Sequence, residues 1–341
     1  MNDLADGQAE VRFMYPDRRF CIAPMMGWTD RHERYFLRLI SGRAMLYTEM
    51  IPAAALLAGS PGRFLAHSAE ESPLGLQVGG CEPEDLAQCA ELGEAAGFDE
   101  ININVGCPSA KVRSGRFGAC LMAEPDLVAA CFRRMVNRVG IPVTVKCRIG
   151  VDERDRYEDL LAFVETLAAS GCRTFLVHAR KAWLSGLSPK QNREIPPLHY
   201  DTVYRLKKEH PELEIIINGG IRSVDAAQAH LQAVDGVMVG REAYHNPFSF
   251  ADIDRRLFGV MTAEPSRFQV LDQYKAYIAD QLQSGVNLKH MTRHILGLFH
   301  GQPGARAWRR YLSEQVVDSQ AGLEVLEVAE EGVRQQMRWA A

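Results

Sequence analysis

The stretch "ININVGCPSAKVRSGRFGACLM", residues 101–122, decides how the rest of the chain is read. Isoleucine and asparagine alternate from Ile101 to Asn104, which is the period of a β-strand. Gly106, Cys107 and Pro108 then break the strand and leave a thiol at its end. The loop that follows carries Lys111, Arg113 and Arg116 and no acid, in a chain whose formal net charge is −4.

Working outward, similar short runs alternate with helical patterns from residue 20 to about 255. The candidate strands are 20–25, 45–50, 74–79, 100–106, 142–150, 174–180, 214–220 and 236–241, with helical segments such as 84–96, 125–138, 157–170 and 223–233 between most of them. Eight strand–helix units predict an α/β chain folded as a (β/α)8 TIM barrel. A doubly wound sheet would carry a glycine fingerprint after its first strand, and "APMMGWTD" stands there instead. Beyond residue 262 the strand signals stop, and 268–284, 288–299, 304–315 and 322–339 read as helices. The expected organisation is an N-terminal extension (1–19), a barrel (20–260) and a small all-helical C-terminal unit (261–341).

Barrel enzymes work at the C-terminal ends of their strands. Those ends here carry Pro24, Met25 and Met26; Glu49; Gln77; Asn104 and Cys107; Lys146 and Arg148; His178 and Arg180; Asn218, Gly219 and Gly220; and Gly240 with Arg241. "NGG" lets backbone approach an anion and Arg241 adds charge, the usual place for a phosphate in such a barrel. Lys146 is read either as a cation against an electron-rich ring or as the partner of Glu49 across the barrel mouth. Gln77 hydrogen-bonds a ring edge or satisfies a strand end, and His178 has a plain alternative as a core histidine. Cys107 is a small buried hydrophobe, a nucleophile wanting a base, or a general acid.

The windows 101–123, 166–193 and 281–313 contain no aspartate or glutamate and hold thirteen lysines and arginines. A basic track on an acidic protein points to a polyanionic partner. Trp183 and Trp308 lie in these windows, as base-stacking platforms or as buried anchors. "HMTRH" (290–294) lacks the glutamate of a zinc protease and reads as part of the cationic surface. No run is long enough for a signal peptide or a membrane span, and eight cysteines without a CxxC pair suggest neither a disulfide framework nor a metal site. A cytoplasmic protein is expected.

The pieces "NVGCPS", "VTVKCRIG", "HARKAWLSGLSPKQNREIPPL", "INGGI" and "DGVMVGREAYHNP" resemble the tRNA-dihydrouridine synthase family, and the third of them its A subfamily. The resemblance runs from Cys21 to Glu314 and implies FMN on the barrel rim, NADPH as reductant, and reduction of D-loop uridines of tRNA around position 20. It implies FMN contacts at Pro24, Met25, Met26, Gln77, Lys146, His178, Asn218, Gly219, Gly220, Gly240 and Arg241, and Cys107 as proton donor. Asn104 is then expected beside the uridine, and Lys190, Arg193, Arg306, Arg309 and Arg310 along the tRNA backbone. A monomer without metal or membrane contact is expected. Two other readings stand beside it. A small-pyrimidine flavin reductase leaves the basic windows unused, and a non-catalytic RNA-binding module leaves Cys107 without a task.

Overall fold

The computed structural model describes residues 16–59, 61–318 and 320–340, apart from the side chains of Lys111 and Arg113. Most of the expected extension 1–19 lies outside the described residues. Within them the strands are β1 (Phe20–Ile22), β2 (Leu46–Tyr47), β3 (Ile51–Pro52), β4 (Leu74–Gly79), β5 (Glu100–Asn104), β6 (Val143–Arg148), β7 (Thr174–His178), β8 (Glu214–Asn218) and β9 (Gly236–Val239). Every pairing is parallel, in the order β1-β9-β8-β7-β6-β5-β4-β2, with β3 also on β4. Since β2 and β3 are two pieces of one segment against β4, there are eight positions around the sheet. A bridge between Cys21 and Met45 closes it, with the Ile22 N–H donating to Met45 O at 2.8 Å and the Met45 N–H to Phe20 O at 2.9 Å. This is the expected (β/α)8 barrel, with strands shorter than the sequence runs because their last residues turn outward as rim loops.

Strand alternation divides the residues between two cores. Ile101 packs outward against Gly93 in the helix Pro83–Ala95. A separate cluster of Cys21, Ala23, Met45, Tyr47, Leu176, Ile216 and Met238 fills one side of the lumen. The other side is polar, lined by Gln77, Glu100, Asn102, Asn104 and Thr144, all buried. Gly75 belongs to this interior, since a Cβ there would stand 2.7 Å from the Tyr47 ring that crosses the floor to reach Glu100.

The C-terminal helices are Arg267–Gln283, Lys289–Thr292, Ala305–Gln315 and Glu324–Ala340. The expected helix 288–299 stops at Thr292. Past it, carbonyls leave the helical ladder for other donors: Ile295 O accepts the Trp308 indole N–H at 3.0 Å, and Leu298 O accepts Arg267. Trp308 is therefore a buried anchor.

His294 is not part of a cationic surface either. It is fully buried, with Nε2 3.0 Å from Asp30 and Nδ1 3.2 Å from Glu33, the latter an ion-pair contact without hydrogen-bond alignment. Arg293 donates to Asp30 Oδ2 at 2.9 Å and to Gly27 O at 2.6 Å. Asp30 also caps the helix Arg31–Ile40, accepting from the N–H groups of His32 and Glu33. Trp28 stacks on Tyr244 with centroids 4.4 Å apart. The helical region thus clamps the loop after β1, where Met25 and Met26 lie.

Burial works against a charged imidazole at His294, but pairing with Asp30 and Glu33 wins and lifts its pKa to about 9. Burial raises the Glu33 carboxyl to about 7, against the pull of His294. Both folded values exceed the unfolded ones, so the native state binds more protons and both contributions fade as pH rises. For His294 the stabilisation is complete below pH 6.5 and is lost as pH passes through about 9. Thermal unfolding of wild type against His294→Gln should show a Tm difference that is largest near pH 6 and shrinks steadily to pH 9. A difference independent of pH would mean that the folded imidazole is uncharged.

Candidate functional site

At the C-terminal mouth of the barrel, strand register sets Lys146 of β6 beside Asn104 of β5, Arg148 of β6 beside His178 of β7, and His178 beside Asn218 of β8. Lys146 and Arg148, two residues apart on one strand, share a face. The structure therefore gathers the expected strand-end residues of β4 to β8 on one rim.

The charges on this rim are one-sided. Lys146 Nζ donates to Asn218 Oδ1 at 3.0 Å. The alternative partner, Glu49, accepts the Gly27 N–H instead, so the pairing across the mouth does not form. Burial, then Arg148, lowers the Lys146 pKa to about 8. Arg148 is buried and donates only to carbonyls: Gly106 O at 2.8 Å, Lys181 O at 3.0 Å and Asn192 O at 3.2 Å. Burial brings its pKa down to about 10. Burial first, then Arg148, Lys146, Arg180 and Arg193, hold His178 well below its ordinary value, so the imidazole is neutral at pH 7. Its Nδ1 is buried and unpartnered among the described residues.

Buried cations without a carboxylate are costly unless an anion joins them. The loop after β8 offers backbone for one. Gly219 and Gly220 have φ of +124° and +73°, and a Cβ on either would stand within 2.8 Å of Leu198. Tyr200 fixes this loop by donating to Gly219 O at 2.8 Å. These features fit FMN, a phosphate monoester on a flat ring: an orphan imidazole nitrogen, cations without a carboxylate and a glycine loop whose backbone is accessible. Pro24 and Met25 are half-buried at the end of β1, while Met26 is 61% exposed. Gly240 leaves open space between Ala23 and Met25, where a Cβ would meet nothing nearer than 3.9 Å. Arg241 pairs with Glu194 at 2.6 Å, a half-exposed contact that water and salt weaken.

Cys107 is half-buried at the end of β5. Its N–H donates to Asn104 Oδ1 at 3.0 Å, and its carbonyl accepts from Ala119 N–H at 2.9 Å. Lys146, Arg148 and Arg193 all lie in electrostatic range of the thiol. Asn104, expected beside a substrate, uses its amide to hold the protein: Oδ1 takes the Gly106 and Cys107 N–H groups and Nδ2 donates to Gln77. Gln77 is 1% exposed and spends both ends of its amide on Asn102 and Asn104. Lys190 and Arg193 are exposed around the turn Gln191–Arg193. Arg306, Arg309 and Arg310 are exposed on the helix Ala305–Gln315, whose other face buries Ala305, Trp308 and Leu312. Beside this helix an open cleft of about 380 Å³ is lined in part by Lys289, His290 and Arg293.

Sequence reasoning found Arg148 but gave it no task. Its position two residues after Lys146 was the available signal, since that spacing puts both on one face. It did not find Asp30, Glu33 or the clamp they form, because nothing local joins residues some 260 positions apart.

The family described as Dihydrouridine synthase (Dus) matches residues 21–335. The chain is 58% identical over 318 residues to a tRNA-dihydrouridine(20/20a) synthase of Shewanella oneidensis, covering 93% of this chain and 95% of that protein. It is 55% identical over 312 residues to the protein of the same name in Vibrio cholerae, at 91% and 95% coverage. The corresponding figures for Escherichia coli K12 are 56% over 312 residues, at 91% and 90%.

The lowered pKa of Lys146 makes anion affinity pH-dependent. The ammonium is present below about 8 and lost above it, so an FMN held by this group would bind more weakly as pH rises from 7 to 9. Titration of apoprotein with FMN should show this slope. Lys146→Met should bind about tenfold more weakly at pH 7, the worth of one hydrogen bond to a charged group, and with a flatter profile. An unchanged slope in the variant would assign the titration to another group.

Proposed function

The chain belongs to the dihydrouridine synthase family, and from that premise we propose that it reduces uridines at positions 20 and 20a of tRNA to 5,6-dihydrouridine, with FMN as resident cofactor and NADPH as reductant. The observation that supports this most directly is the rim that carries the buried Arg148, the half-buried Lys146, a glycine loop and a half-buried thiol. Lys146, His178, Asn218, Gly219 and Gly220 would hold FMN, with Pro24, Met25, Met26, Gln77, Gly240 and Arg241 around it. FMN held there would supply hydride chemistry between NADPH and C6 of the uracil ring.

Addition of hydride at C6 leaves an electron pair at C5. Cys107 gives its proton there, completing the saturated C5–C6 bond and becoming a thiolate. Lys146, Arg148 and Arg193 lie where they stabilise that negative sulfur. The target base must leave its stack to enter the barrel mouth, which costs least in a loop. Residues 261–341 form the tRNA-binding unit in this proposal, with Arg306, Arg309 and Arg310 facing solvent and Lys190 and Arg193 nearer the mouth. The protein acts as a monomer in a reducing cytoplasm, where its eight free cysteines stay reduced. Among the described residues no helix is long and apolar enough to cross a membrane.

Purified protein, NADPH and unmodified tRNA should yield dihydrouridine at 20 and 20a by nucleoside mass spectrometry. Cys107→Ala should keep its yellow flavin and bind tRNA, but turn over at least about a hundredfold more slowly, the usual cost of losing a general acid. A small pyrimidine reduced in place of tRNA would replace this reading, and wild-type biological activity in Cys107→Ala would favour the RNA-binding module. The triple variant Arg306→Ala/Arg309→Ala/Arg310→Ala should raise KM for tRNA at unchanged kcat. It should also flatten the salt dependence of binding by about two to three in log–log slope.

A further inference from the structure

We infer that Thr144 and Asn102, buried in the middle of the barrel, are positioning residues for Cys107, acting through a one-way ladder of hydrogen bonds that starts on the Glu100 carboxylate. The inference rests on the reading of Cys107 as proton donor.

The ladder can be followed rung by rung. Glu100 is fully buried, and its carboxylate accepts from Arg18 Nε at 2.6 Å, from the Tyr47 hydroxyl at 2.8 Å and from the Thr144 hydroxyl. Thr144 has one proton, and Glu100 takes it, so its oxygen can only accept from the next group. That donor is Asn102 Nδ2 at 2.8 Å. With its nitrogen facing Thr144, Asn102 presents Oδ1 to Gln77 Nε2 at 2.7 Å. Gln77 then presents Oε1 to Asn104 Nδ2 at 2.8 Å. Only Asn104 Oδ1 remains, and it accepts the N–H of Cys107 at 3.0 Å and of Gly106 at 3.2 Å.

The sense of every rung is forced. A carboxylate only accepts and two backbone N–H groups only donate, so both ends of the ladder demand the same direction. Turning any single amide over would set N–H against N–H on one side and oxygen against oxygen on the other. Thr144 and Asn102 have no exposure, Gln77 1% and Asn104 7%, so solvent offers no substitute partner. The orientation of Asn104, and with it the hold on the Cys107 backbone, is therefore set from both ends, one of them on the barrel floor. Without the Thr144 hydroxyl Asn102 Nδ2 loses its acceptor, the direction rests on the two backbone N–H groups alone, and the grip on the Cys107 N–H loosens. Proton transfer to a carbon suffers from small misplacement of the donor.

The test compares Thr144→Val, nearly the same shape without the hydroxyl, with Thr144→Ser, which keeps it, in the full-length flavin-loaded protein. Hydrogen–deuterium exchange of a peptide covering residues 104–108 reports the ladder without reference to catalysis. Exchange there should quicken about tenfold or more in Thr144→Val and return to the wild-type rate in Thr144→Ser. Dihydrouridine formation should follow, with kcat reduced about tenfold or more in the valine variant, KM for tRNA within twofold, and rescue by serine. Equal loss in both variants would assign the effect to packing, and unchanged exchange in Thr144→Val would overturn the ladder. If exchange moves as expected while kcat does not, the ladder stands but its positioning role for Cys107 is overturned; loss of activity in Cys107→Ala tests the reading of the thiol as acid separately. Should Thr144→Val not fold, Asn102→Leu carries the same exchange measurement one rung higher, and unaltered exchange at 104–108 would again overturn the inference.

Discussion

A carboxylate enclosed at the floor of a barrel constrains everything placed above it. Glu100 has no access to water, and an ion there is tolerated only if donors surround it. Arg18 meets this need and is itself shared with Glu214 at 3.0 Å. Tyr47 and Thr144 supply the remaining donors, which is why a tyrosine crosses the lumen and a glycine, Gly75, makes room for its ring. The lumen is consequently split. On the side of β1, β2 and β7 to β9 it is filled by Cys21, Met45, Leu176, Ile216 and Met238; on the side of β4 to β6 it is a stack of amides and hydroxyls. The polar half ends beneath Cys107, so the rim thiol and the buried carboxylate belong to one connected interior.

The rim above carries the opposite imbalance. Lys146, Arg148 and His178 crowd together with carbonyls and an amide as their only partners among the described residues. Each pays for desolvation in a lowered pKa, and among the described residues no carboxylate pairs with any of them. Arg148 has a second task, since by gripping Gly106 O and Lys181 O it ties the thiol loop to the loop after β7. One buried side chain therefore sets both the electrostatics and the shape of the mouth.

Much of this was legible in the sequence, for reasons that particular residues make clear. Alternation in "EININ" marks a strand whose two faces differ, and the inward positions turn out to be Glu100, Asn102 and Asn104. The eight strand–helix units and the crowding of polar residues at their ends follow from local pattern. The second piece, β3, was not read at all, because Ile51–Pro52 lies past the expected run 45–50 and ends in a proline, and only its pairing on β4 shows it. His294 was misread for a related reason. On its own helix it looks like one of several cations, and only the fold brings Asp30 and Glu33 against it. Asn104 was expected beside the uridine from its place three residues before the thiol; that its amide is held between Gln77 and the Cys107 N–H could not be read from that spacing. Sequence pattern reports which face a residue occupies, but the partner of a buried polar group is a property of the whole fold.

The chemistry of the rim also bears on why a thiol stands there. Among cations that lack counter-ions, a carboxylic acid would be ionised at neutral pH and would have no proton to give. An ammonium would add to the repulsion that already lowers Lys146 and Arg148. A neutral imidazole such as that of His178 cannot act as a strong donor without first acquiring the charge its neighbours oppose. A thiol differs from all three, because it is neutral while it holds its proton and its intrinsic affinity for that proton lies about four pKa units above that of a carboxyl. In the proposed reaction the sulfur left behind would lie among Lys146, Arg148 and Arg193, the same cations that would strip a carboxyl of its proton. Under the proposed function, a thiol is then the donor that suits a field of cations gathered for an anion.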